Sequence, residues 1–385
     1  MFPLLARGAD QVYELRRAVH RLRAPVAESA HTLARTAVDP RVNAEKRDRT
    51  PRQGDSVGSL SLRASAGPVP DLGERVRVCY HVQSHTLPAQ LVRLVRTLRA
   101  SSPASLIVVS HAEDGPELDL GELAADPAVI VRRVPGGYGD FSHLDRWLEV
   151  VDLLADRGED YDWLCNLSGQ DYPLVPLAQA ERELADGGAD AYLQLFPAFD
   201  GPKWPRSKAV TRYCFGYVRL PMSARAQRLL RPLAAVNRVQ PLVRFAPAYR
   251  AIGVRRRRLP FPEQDWYGGS FFCSLSRPCA TYLRDWVRDH PAEVRYLRRV
   301  LAPEEVFFQT VLRSSGRFTL ADDSKRYFDF RGSTGNHPKT LRVADVPRMT
   351  SRGAHFARKL DERVDAGLLD VLDERVLGVK HSSSG

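Results

Sequence analysis

The chain has 385 residues, 43% of them hydrophobic, 27% charged and 9% aromatic, enough for one large α/β domain or two ordinary ones around a substantial core. Its apolar runs never reach the ~18 residues of a membrane span, and its start has no apolar core with a small-residue cleavage site, so a cytoplasmic protein without a leader is expected. The net charge is +11, and 50 of the 57 basic residues are Arg, a usage that suggests a GC-rich bacterial genome and raises basicity by itself; the charge therefore points to an anionic co-substrate rather than to specific nucleic-acid recognition.

Residues 1–38 are expected to form a basic amphipathic helix. Val12, Leu15, Val19 and Leu22 recur at near-helical spacing, with Arg16, Arg17, Arg21 and Arg23 off that stripe, a pattern suited to a membrane surface, to the chain's own domain or to another subunit. Residues 39–74, rich in Arg, Ser, Gly, Pro and Asp without periodicity, are expected to be a flexible linker.

Globular sequence begins at Arg75. Residues 76–82, 106–109 and 128–131 are predicted strands, and a helix at 88–98 turns Leu91, Leu94, Val95 and Leu98 inward. Strands alternating with helices predict a parallel sheet of βαβ units, with ligands beyond the carboxyl ends of the strands, at 83–85, 110–114 and 135–140. A helix at 142–154, a strand at 163–167 running into Ser168-Gly169-Gln170-Asp171, a helix at 177–186 and a strand at 191–195 complete a first half, residues 75–196.

The second half, residues 197–378, is more basic. Lys203, Arg206, Lys208 and Arg212 gather around Trp204 and Tyr213, and a helix at 223–237 precedes the run Arg255–Arg258, which suits either a solvated patch or a dock for an anion. Residues 270–275 and 326–330 are predicted strands, and 278–288 and 303–313 predicted helices.

Single motifs are weak. His81 and His85 lie four apart on a strand, where that spacing does not put both rings on one face. Asp160-Tyr161-Asp162 matches a metal-binding DxD string but precedes a strand and suits a turn. Ser168 lacks a GxSxG frame, and no phosphate-binding GxxxxGK[ST] or strand-placed GxGxxG occurs. Five cysteines, Cys79, Cys165, Cys214, Cys273 and Cys279, without C-x-x-C spacing make a disulfide framework or structural zinc site unexpected.

In order, however, Gln83-Ser84-His85, the Asn166–Leu174 segment (NLSGQDYPL), Gly268–Phe272 (GGSFF) leading to Leu275-Ser276-Arg277, Pro303–Thr310 (PEEVFFQT), Arg326–Phe330 (RYFDF) and His355–Asp361 (HFARKLD) resemble glycosyltransferase family 14. This family holds the core-2/I-branching β-1,6-N-acetylglucosaminyltransferases and the peptide O-xylosyltransferases, and the resemblance spans about residues 76–376. It implies a GT-A type fold, a mostly parallel sheet flanked by helices, whose first half binds the nucleotide sugar and whose second binds the acceptor. The implied reaction is inverting, metal-independent transfer from a UDP donor, by default UDP-N-acetylglucosamine, to a hydroxyl of a glycan, glycolipid or natural product; no cofactor is implied.

Residue by residue, the resemblance makes Glu305 the base, with Glu304 in place of the family's Asp, and puts Lys359 on the diphosphate with Lys339 or Arg342 as a second cation. Ser84, His85 and Tyr138 match uridine contacts, while Ser110-His111-Ala112 stands where the family has an aspartate, with Asp114 as a substitute. Asp171 at its strand end suits either a grip on sugar hydroxyls or an ordinary turn, and Trp204, Arg212, Trp266 and Phe330 are candidates for the acceptor side, with core packing the alternative for the aromatic ones. Xylosyl or other pentosyl transfer on the same scaffold, and a catalytically inactive glycan- or nucleic-acid-binding protein, are the alternatives.

Overall fold

The computed structural model describes residues 76–378, apart from 138, 221–222 and 334–336; the expected N-terminal helix and linker lie outside the described residues. Four apolar segments become neighbouring strands, β1 (Val78–Ser84), β2 (Leu106–Ala112), β3 (Val129–Val134) and β4 (Trp163–Ser168). β1 and β2 are buried along their whole length, as strands covered on both faces must be. Alternation along them feeds two cores. Val78, Tyr80, Val82, Ile107 and Val109 join Leu91, Leu94 and Leu98 of α1 (Pro88–Ser101) on one side. Cys79 and Val108 join Leu144, Trp147 and Val151 of α2 (Ser142–Asp156) on the other.

Three strands from later in the chain extend the sheet, β5 (Ala191–Leu193), β6 (Ser274–Ser276) and β7 (Leu320–Asp322), in the order β7-β5-β6-β4-β1-β2-β3. β6 alone is antiparallel to its neighbours, with Ser274 opposite Cys165 and Tyr192. This seven-stranded, mostly parallel sheet between helices, including α3 (Arg277–Asp289) and α4 (Phe307–Ser315), is the mixed α/β, GT-A-like architecture the sequence predicts. Two strands drawn from residues after 196 thus share one sheet with the first half.

The differences from expectation have local causes. The strand expected at 270–275 starts only at Ser274, because the carbonyl of Phe271 accepts from the Asn166 side chain at 3.2 Å instead of from a neighbouring strand. The helix expected at 303–313 splits into a 3₁₀ turn, Pro303–Glu305, and α4, since Ala302 before the turn is in the left-handed region (φ 49°) and Val306 after it departs from helical backbone (φ −135°, ψ −19°). The helix expected at 223–237 runs from Ala224 to Leu230 and continues as a 3₁₀ turn, Arg231–Arg238, the change falling beside Pro232, which has no N–H to give an α-helix.

Three small sheets accompany the central one among the described residues, the smallest pairing Phe196–Pro197 antiparallel with Tyr267–Gly268. Strand Asp171–Pro173 pairs antiparallel with Phe356–Arg358, which pairs parallel with Arg326–Phe328. Strands Phe215–Arg219, Ala251–Arg255 and Val243–Ala246 form an antiparallel sheet with Ala251–Arg255 in the middle. All five cysteines are buried and unpaired.

Candidate active site

Parallel strands deliver their carboxyl ends to one edge of the sheet, where irregular backbone collects polar groups. Here that edge receives Ser84 and His85 from β1 and Ser168 from β4. Because β6 runs the other way, the loop before it, Gly269–Phe272, emerges at the same edge. The strand Phe356–Arg358, laid on Asp171–Pro173, brings Arg358 and Lys359 there too.

Asp171 is fully buried and its carboxylate is spent. Oδ2 accepts the Ser168 N–H at 2.9 Å, and Oδ1 accepts from Ser168 Oγ at 3.1 Å and Arg358 Nη1 at 2.8 Å. The expected grip on sugar hydroxyls is therefore corrected, since no oxygen faces outward; Asp171 holds Arg358. The Arg358 guanidinium also lies 4.4 Å over the Phe272 ring, fixed between a carboxylate and an aromatic face. In the HFARKLD segment the sequence signal for Arg358 is its adjacency to Lys359.

Lys359 is half-buried, and among the described residues no carboxylate lies within ion-pair distance of its ammonium. Burial, then the charges of Arg358, Lys359 and Arg146, hold His85 below the usual histidine range, with Asp114 opposing them, so His85 is neutral near pH 7 and able to meet a base edge. Ser84 is buried, its hydroxyl donating to the Thr86 carbonyl at 3.3 Å. Tyr138 lies outside the described residues.

Lys339 lies on the segment whose Leu341 N–H donates to the Lys359 carbonyl at 2.9 Å. It is paired with Asp345 at 2.8 Å and Asp329 at 3.3 Å, two carboxylates that cancel the charge a diphosphate would need. Arg342 is exposed and donates to the Val364 carbonyl at 3.4 Å. Arg358, paired with Asp171 as Lys339 is with Asp329 and Asp345, stands next to Lys359 in the chain and is a further cation at this edge.

Sequence reasoning marked Gln83 only as the neighbour of Ser84 and His85, and missed His143 and Arg146. The Gln83 amide donates to the His143 carbonyl at 2.9 Å, its oxygen meets His143 Nδ1 at 2.8 Å, and Arg146 donates to it at 3.4 Å and to the Pro135 carbonyl at 2.6 Å. Burial, with Arg146 nearby, pushes His143 down to about 4. This cluster pins the start of α2 and the loop after β3 to the end of β1. Gln83 and His143 are 60 residues apart, and no local motif links them.

Glu305 closes the 3₁₀ turn before α4. Its Oε2 accepts from Arg212, a nearly buried guanidinium on the helix Arg206–Tyr213 that lies 5.3 Å over the Trp204 ring. Arg212 is thus the charge partner of the expected base, rather than a free acceptor contact. Lys208, one turn earlier, sits 4.1 Å over the same ring, and burial followed by the Arg212 charge pushes it down to about 8. Glu304 faces inward: one carboxylate oxygen is buried with no partner among the described residues, and burial plus the neighbouring Glu305 push its carboxyl up to about 8.

Of the remaining aromatic candidates, Trp266 is corrected. It is fully buried, stacked on Tyr213 at 5.2 Å, with its Nε1 donating to the Phe261 carbonyl at 3.2 Å, so neither face is open to a sugar. Trp204 is half-buried against Phe196. Phe330 is 56% exposed and continues a run of rings, Phe272, Phe328 and Phe330, spaced 6.3 and 6.4 Å apart, that leads outward from Arg358.

The loop 268–272 ties the two ends together. The Gly269 N–H donates to the Glu305 carbonyl at 2.8 Å, Gln309 of α4 donates to the Ser270 carbonyl at 2.9 Å, and Phe272 lies under Arg358. Only glycine fits at 269, where a side chain would strike the Gln194 carbonyl. Asp160 and Asp162 sit apart from this assembly, at the amino end of β4: Asp160 pairs with Arg277, and Asp162 accepts the Arg77 N–H at 2.7 Å.

Compared with protein-family models, the chain matches none. It is similar to two curated proteins of Arabidopsis thaliana, the beta-glucuronosyltransferases GlcAT14A (24% identical over 233 residues, 60% of this chain and 46% of the relative) and GlcAT14B (25% over 237 residues, 61% and 48%). The chain spans about half the length of the curated relatives it matches. Both relatives are named glycosyltransferases, which supports the resemblance to glycosyltransferase family 14 and a sugar-transfer function.

Proposed function

We propose that the chain is an inverting glycosyltransferase that moves a sugar from a UDP donor to a hydroxyl acceptor. The observation that carries this reading is the convergence, on one sheet edge and through one loop, of a carboxylate at Glu305 and a cation pair at Arg358 and Lys359. In-line displacement at the anomeric carbon needs a base on the acceptor side and positive charge on the leaving-group side, held in fixed relation.

Glu305 takes the proton of the acceptor hydroxyl as its oxygen attacks the anomeric carbon from the face opposite the diphosphate. The carbon–oxygen bond to the β-phosphate breaks, the electron pair leaves with UDP, and Arg358 and Lys359 neutralise the departing charge without requiring a metal. Arg212 keeps Glu305 aimed, and Phe330 and Trp204 border the acceptor. UDP-glucuronate, suggested by the names of the relatives, stands beside UDP-N-acetylglucosamine as donor, with UDP-xylose third.

A thermal-shift and calorimetric screen of UDP and these sugars, with EDTA or with manganese, tests the reading. At 100 times its dissociation constant the true donor raises stability by about 2.7 kcal/mol, equally with EDTA. Glu305→Gln is expected to keep UDP binding and lose about 10²–10⁴-fold in turnover. Absence of nucleotide binding would remove the transferase reading, and full turnover in the variant would remove Glu305 as base.

A further inference from the structure

Between Gly201 and Pro262 the sequence holds fifteen Lys and Arg and no Asp or Glu, while the rest of the chain holds 42 basic and 46 acidic residues. The entire positive charge of the molecule therefore arises in this one stretch. A preference for Arg over Lys does not explain it, because such a preference exchanges one base for another and removes no acid.

The outer part of the stretch folds as the helix Ala224–Leu230, the 3₁₀ turn Arg231–Arg238 and the antiparallel sheet of strands 215–219, 251–255 and 243–246. It also carries the three most exposed aliphatic side chains among the described residues: Val239 (82%), Leu229 (79%) and Leu242 (65%). Val239 and Leu242 occupy the turn entering strand 243–246. The Arg255 N–H donates to the Leu242 carbonyl at 2.8 Å, which sets the run Arg255–Arg258 directly beside this apolar tip. The run lines an open cavity of about 510 Å³ whose one acidic lining residue, Glu263, is already paired with Arg206.

A hydrophilic polyanion would satisfy the arginines but leave the apolar tip in water. A bilayer bearing acidic headgroups satisfies both, since aliphatic side chains sink to the acyl boundary while cations meet lipid phosphates. We propose that this module docks the protein on an anionic lipid surface, with Val239 and Leu242 at headgroup depth and Arg238, Arg255, Arg257 and Arg258 against the phosphates. The inference stands independently of the sugar-transfer reading.

Co-sedimentation of the full chain with phosphatidylcholine vesicles, with and without phosphatidylglycerol, tests it. The wild type is expected to bind only the acidic vesicles. Joint replacement Arg255→Ser, Arg257→Ser and Arg258→Ser weakens binding on the order of 100-fold. Joint replacement Val239→Ser and Leu242→Ser weakens it about tenfold while leaving retention on a heparin column unchanged. A Leu242→Trp variant, read by difference against the wild type, shows a blue-shifted emission on acidic vesicles. Absence of binding to acidic vesicles, vesicle binding that ignores the apolar replacements, or an unshifted Trp emission would each overturn the proposal; the last two would identify a soluble polyanion site instead.

Discussion

Glu304 and Glu305 are adjacent in sequence and opposite in circumstance. Both are half-buried, but Glu305 is paired with Arg212, whereas Glu304 turns inward one oxygen that nothing satisfies among the described residues. The folded chain binds the Glu304 proton more tightly than the unfolded chain, whose carboxyl titrates near 4.5, so stability falls as pH rises from about 4.5 to about 8 and levels beyond it. Thermal melts from pH 5 to 8.5 are expected to show Glu304→Gln gaining on the wild type across that interval; parallel curves would remove the effect. Burial of His81 and His143, pushed down to about 3 and about 4, acts oppositely, lowering stability as pH drops below 6.5. Residue types were legible in the sequence at this scale, and orientation was not. Asp171, Lys339 and Trp266 each had the right chemistry for a site, but a buried carboxylate facing a cation, a lysine between two acids and an indole inside an aromatic core look the same on paper as their exposed counterparts.

At the scale of elements, the short strand pair 171–173 and 356–358 matters because it fixes a cation by a buried acid. Removing Arg358 leaves Asp171 charged and alone in the interior. Arg358→Met is therefore expected to cost about 3–5 kcal/mol, and Asp171→Asn somewhat less. The double variant should recover much of the loss, because the two groups answer to each other. Denaturant melts of the three variants measure this coupling, and strict additivity would contradict it. Helix and strand existence followed from periodicity, and α1, α2 and α3 appear within a few residues of expectation. Ends and breaks did not follow. The bend at Ala302 and the late start of β6 are set by contacts made with residues far off in the chain, the Gly139 carbonyl for Ala302 and the Asn166 side chain for the loop before β6.

Across the whole molecule, the parallel sheet was readable because buried strands must be continuously apolar and must alternate with covering helices. The single reversed strand was not, since three residues of Ser-Leu-Ser carry no direction. That reversal delivers the Gly269–Phe272 loop to the carboxyl edge, so the feature on which the proposed site depends most is the one least visible in the sequence. The second half reads as more basic from its sequence, but a charge averaged over 385 residues hides that the whole excess falls between Gly201 and Pro262. The five buried thiols have a practical consequence as well. Burial pushes Cys79, Cys214, Cys273 and Cys279 above the ordinary thiol range, and alkylating reagents attack only accessible thiolate. The native chain is thus chemically silent toward maleimide, and the rate at which it becomes labelled is a direct clock for how often its two cores open.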